Sequence, residues 1–183
     1  MLNLLARLSH WLDLFSEWTG RMVSWLTLAM VLVTLAIVVL RYAFNLGWIS
    51  MQELVTYLHA TVFLIGAAYT LKHDGHVRVD ILYRKFKPAT RAWIDLFGTL
   101  LLLIPVCLYI LYISWDYVAV SWTLREGSQE AGGLDGVFLL KTTIPVMATL
   151  LLLQGFSQMI HSILLITGTG DHDKQADGPE REL

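Results

Sequence analysis

The sequence predicts an all-α membrane protein with four transmembrane helices preceded by an N-terminal amphipathic in-plane helix. Three observations lead there. Of 183 residues, 56% are hydrophobic at a mean hydropathy of +0.58, too apolar for a water-solvated globule. Four stretches reach the roughly 20 apolar residues that a helix needs to cross a hydrocarbon core of about 30 Å. The first twenty residues are amphipathic at helical period.

In chain order, residues 1–20 place Leu4, Leu8, Trp11, Leu12, Phe15 and Trp18 on one helical face, and Ala6, Ser9, His10, Asp13, Ser16 and Glu17 on the other. Asp13 and Glu17 interrupt the apolar run that a secretory signal needs. The expectation is an interfacial helix anchored by Trp11, Phe15 and Trp18; packing of the same stripe on a partner protein is the alternative, and the two are compatible. Residues 21–167 form the transmembrane domain, with spans at about 22–44, 48–71, 92–122 and 137–166. The third is longer than one crossing requires and should tilt or project. Pro105 and Pro145 fall inside spans three and four, where a kink or local unwinding is expected. The tail, 168–183, is rich in Asp, Glu and Gly and reads as disordered.

Lys and Arg set the orientation. Arg7, Arg21, Lys72, Arg78, Arg84, Lys85, Lys87, Arg91, Lys174 and Arg181 fall on one side, against Arg41, Arg125 and Lys141 on the other. By the positive-inside rule both termini and the central loop face the cytoplasm. The basic central loop suits an anionic leaflet. No basic tract suggests nucleic acid. Cys107 is the only cysteine, which excludes an intramolecular disulfide, a CxxC pair and a Cys-based metal cluster.

Few residues could carry chemistry, and no catalytic, metal or cofactor site is expected. Glu53 lies about 8 Å of helix inside the outer end of span two. Arg41 closes span one at the matching end, so an interhelix Arg41–Glu53 ion pair is expected in preference to a proton or cation site. His59 and His161 raise a haem or quinone anchor as the alternative function. Their depths, about 16 Å and about 35 Å below the outer ends of their spans, disagree. The outer loop, residues 121–136, carries Arg125, Glu126, Glu130 and Asp135. It reads as flexible, suiting either a soluble docking partner or a plain solvated turn.

Taken together, Arg41, the Trp48–Glu53 entry of span two, Gly66, and His76, Val77, Arg78, Val79 and Asp80 resemble the DctQ-like family. These are the small permease subunits of tripartite ATP-independent periplasmic (TRAP) transporters. The resemblance covers about residues 20–166. Glu130, Gly132, Gly133, Leu134, Lys141, Pro145, Gln154 and Gly155 are further similar to a branch associated with mannitol, chloroaromatic or other organic acid substrates. The resemblance implies a non-enzymatic scaffold in the bacterial inner membrane, with three kinds of partner. A large permease subunit moves solute by a sodium-coupled elevator motion, a periplasmic substrate-binding protein delivers the solute and docks partly on the outward loops, and membrane lipids surround the spans.

Overall fold

The computed structural model describes residues 2–76, 83 and 85–168. Among the described residues the five α-helices are α1 (Leu2–Phe44), α2 (Ile49–Lys72), α3 (Pro88–Gly98), α4 (Ile104–Leu124) and α5 (Val137–Ile166). A π-helical turn, Thr99–Leu103, joins α3 to α4, so that Pro88–Leu124 is one continuous span. Among the described residues four helices are long and apolar enough to cross a membrane. The expected unwinding at Pro105 takes the form of this π turn, which lies immediately N-terminal to the residue that lacks an amide donor. At Pro145, by contrast, α5 continues as a single helix.

The N-terminal in-plane helix is not formed. Residues 2–20 are the lower part of α1, whose 43 residues extend to about 64 Å without a break. Its polar face is turned inward: Ser9 and Ser16 are fully buried. The apolar face with Trp11, Phe15 and Trp18 is outermost, continuing upward through Met22, Trp25, Leu28, Leu32 and Leu35. Helical periodicity defines two faces but does not say which one meets the protein. Gly20, a weak helix former inside α1, makes room for the Tyr69 ring, which lies where any side chain would be. That contact seats α2 closely against α1.

The last helix is central. α5 packs on α1, α2, α3, α4 and the π turn, whereas the third span finds its main packing surface in α5. Most residues buried between helices are small or polar, among them Ala68, Ala92, Ala148, Cys107, Thr99, Ser114, Ser121, Thr143 and Ser157, with Val118 and Leu150 the larger apolar ones. Large apolar side chains point outward. Lipid supplies no hydrophobic drive between helices, so close approach of small and hydroxylated residues does the packing. Hydroxyls of Thr61, Thr70, Thr142 and Thr149 satisfy themselves on the carbonyl four residues earlier.

Candidate functional site: a pinned outer loop and an inner polar seam

At the outer end, α4 stops at Arg125, whose backbone is left-handed (φ 47°). This conformation is costly for a residue with a Cβ. Two contacts hold it: the Glu126 amide donates to Ser121 O at 3.0 Å, and the guanidinium lies 5.5 Å and 5.4 Å from the Trp122 and Phe138 rings. Trp122 in turn donates its indole N–H to Thr142 Oγ1 at 2.8 Å.

The loop beyond Arg125 is held by two carboxylates. Glu126 is half-buried and accepts from Lys141 Nζ at 2.5 Å and from Ser121 Oγ at 2.7 Å. The Lys141 ammonium, and secondarily the Ser121 hydroxyl, keep the Glu126 carboxyl below its usual range. Lys141 also sits 4.0 Å from the Tyr117 ring centroid. The second carboxylate reaches in from α2, where Glu53 accepts from Ser128 Oγ and, at 2.7 Å, from the Leu134 amide. Ser128 N–H donates to Leu134 O at 3.0 Å, and Gly133 N–H to Glu130 O at 3.0 Å, which folds 128–134 back on itself. Gly133 is required by space, because a Cβ there would strike Ser128 and lie 2.7 Å from Glu53 Oε2.

The expected Arg41–Glu53 ion pair is not brought together. Arg41 is exposed in the last turn of α1, where its charge meets the negative end of the helix dipole. Glu53 faces the α4–α5 loop instead. Equality of depth along two helices fixed the height of the two charges but not their azimuth. The flexible loop is corrected likewise, since residues 126–134 are tied to α2, α4 and α5. Of its four singled-out residues, Arg125, Glu130 and Asp135 are exposed, while Glu126 is turned inward. His76 is exposed at the other end, its Nε2 3.3 Å from Ala67 O. Arg78 and Asp80 lie outside the described residues.

The inner end holds a polar seam that the sequence reading missed. Asp13 of α1 faces α5, accepting at Oδ1 from Gln154 Nε2 (3.0 Å) and Ser157 Oγ (2.7 Å), with His161 Nε2 2.8 Å from Oδ2. Ser16 Oγ donates to Gln154 Oε1 at 2.6 Å. One turn further along α1, Glu17 accepts from Lys72 Nζ at 2.7 Å and Arg21 Nε at 2.9 Å. The signal was present: Ser9, Asp13 and Ser16 repeat at the same three-to-four spacing as Gln154, Ser157 and His161, two polar stripes of matching pitch. His161 is thus engaged by Asp13, and His59 is exposed midway along α2. Among the described residues no three His, Cys, Asp or Glu side chains group to hold a metal ion.

Both ends therefore contain structural polar contacts set between apolar spans. A protein of Haemophilus influenzae, described as a TRAP transporter small permease protein, is 34% identical over 93 residues, covering 51% of this chain and 56% of that protein. The chain thus spans little more than half the length of this relative. No solved structure matches. The profile of the family described as "Tripartite ATP-independent periplasmic transporters, DctQ component" matches residues 30–165. With four membrane-spanning helices in the matched region and its flanks, this chain belongs to the DctQ family of TRAP transporter small permeases, multi-pass proteins of the inner membrane.

Proposed function

We propose that this chain is a membrane-held scaffold for the large, elevator-type permease subunit. In this role its outer loop helps dock the periplasmic binding protein during sodium-coupled uptake of an organic acid or similar small solute. Both termini are cytoplasmic, in keeping with ten Lys and Arg at that end.

One observation carries the proposal: α1 is longer than the bilayer and apolar on its outer face along its whole length. A hydrocarbon core of about 30 Å accounts for roughly 20 of its residues. Leu4, Leu8, Trp11, Phe15 and Trp18 remain exposed in its first twenty residues, at spacings of four, three, four and three, so that a core crossed by the following residues leaves them outside it. This is the seam with which a helix meets another helix, set where lipid tails no longer cover it. The rigid outer loop, with Arg125, Glu130 and Asp135 exposed, supplies a preorganised charged rim at the opposite end.

Co-expression with the neighbouring large subunit tests the scaffold. The triple variant Trp11→Ala, Phe15→Ala, Trp18→Ala should insert normally and co-purify with the large subunit at least about tenfold less, since buried aromatic anchors dominate interfaces. Unchanged co-purification would overturn the proposal. For docking, Arg125→Glu with Glu130→Lys and Asp135→Lys should slow binding-protein association at low salt and matter little at high salt.

A further inference from the structure

Side chains turned outward at mid-span are chiefly aliphatic on two of the spans: Val31, Leu32 and Leu35 on α1, Leu101, Leu102 and Val106 on the third. The outward face of α2 is different. Gln52, Thr56, His59 and Phe63 are exposed there. With Gly66 they fall at spacings of four, three, four and three, within an arc of about 80° on a helix of 3.6 residues per turn. Ala68, the buried residue of α2, lies on the opposite side. His59 decides what this face is for. α2 has 24 residues, about 36 Å, little more than a hydrocarbon core of about 30 Å, so a residue about 15 Å from its Ile49 end lies near mid-bilayer. Among the described residues neither the His59 imidazole nor the Gln52 side-chain amide has a hydrogen-bond or ion-pair partner. An imidazole turned to acyl chains without a partner is costly.

We propose that a single spanning helix of the large permease subunit covers this seam, an assignment that rests on the scaffold role above. That helix presents a hydrogen-bonding side chain at the depth of His59 and a bulky apolar one opposite Gly66. The chemistry of the seam selects it. His59 offers an N–H donor, and the Thr56 hydroxyl, which donates to Gln52 O at 3.3 Å, keeps lone pairs with which to accept. At Gly66 an added Cβ would meet nothing within 4 Å, so the backbone is open to a close neighbour, and Phe63, 72% exposed, projects one turn away. Polar groups, a knob and a hollow at this pitch are the features with which spanning helices pack on one another. A second copy of this chain fits less well. An axis along the membrane normal keeps every residue at its own depth, so Phe63 would meet Phe63 and the Gly66 hollow another hollow.

Photocross-linking in membranes that co-express the full chain with the large subunit tests this, with p-benzoylphenylalanine in place of Phe63. The probe should join the two subunits. His59→Leu, which removes the polar contact, should lower co-purification of the large subunit at least about threefold. Gly66→Leu, which fills the hollow, should lower it at least about fivefold. Neither variant should lower the Tm of the chain purified alone, since His59 bonds to no other described residue and leucine favours a helix over glycine. A Phe63 adduct to a second copy, no adduct, or unchanged co-purification in either variant would overturn the seam and leave the scaffold role standing. A wild-type chain that brings down no large subunit would overturn the scaffold role and the occupant of this seam with it.

Discussion

Glu53 shows how one side chain decides the state of a loop twelve or more residues wide. Its carboxylate accepts both the Ser128 hydroxyl and the Leu134 amide. Glu53→Ala should leave two donors without their acceptor and loosen 128–134. Hydrogen exchange of the Leu134 amide would report it. Arg41→Gln should leave that exchange unchanged, because Arg41 does not contact Glu53; equal effects from the two variants would instead restore an ion pair. Glu126 adds a pH dependence. Its folded pKa lies below the ordinary 4.5, so its contribution to the loop is fully present above 4.5 and is lost as pH falls through the lower folded value. The indole N–H resonance of Trp122, adjacent to Arg125 and bonded to Thr142, should therefore stay constant from neutral pH to about 5 and move only below the ordinary carboxylate range. The identities of these loop residues were legible from sequence as polar and outward. Their partners were not, since a loop's hydrogen bonds depend on which helix faces it come together in three dimensions.

At the scale of the helix, α1 separates what sequence periodicity can and cannot say. The four spans were legible because about 20 apolar residues have few alternatives to crossing a bilayer. The lower third of α1 was legible as amphipathic, yet its polar stripe could face water or protein with the same pattern. The deciding feature lies 140 residues away, in the matching stripe of Gln154, Ser157 and His161. Asp13→Ala removes the acceptor shared by all three and should destabilise the α1–α5 contact by about 1–3 kcal/mol. A thermal melt of the detergent-solubilised chain would register the loss, and a melt unchanged by the substitution would show the segment lying apart from α5. The π turn at Thr99–Leu103 was legible as a disturbance at Pro105 but not as a widened turn, because proline removes a hydrogen bond without dictating how neighbouring residues close the gap.

Across the whole molecule, polarity is reversed relative to a water-soluble protein: Ser, Thr, Gln and Ala lie within, and Leu, Trp, Phe and Tyr outside. Composition alone made this legible. The relative arrangement of the spans did not follow, because apolar faces turned toward lipid carry no record of neighbours, and the small residues that do carry it are few. The family, by contrast, was visible in residues whose roles here are positional: Glu53 grips the outer loop, and His76 closes the end of α2.

Placing α5 at the centre has a consequence for biogenesis. The helix against which the other described helices rest leaves the ribosome after all of them. Until it arrives, α1 and α2 have only each other, and Pro88–Leu124 must wait in the bilayer with Ser114 and Ser121 uncovered. A nascent chain interrupted before Val137 would therefore be membrane-inserted yet unassembled, its third span without the helix on which it packs.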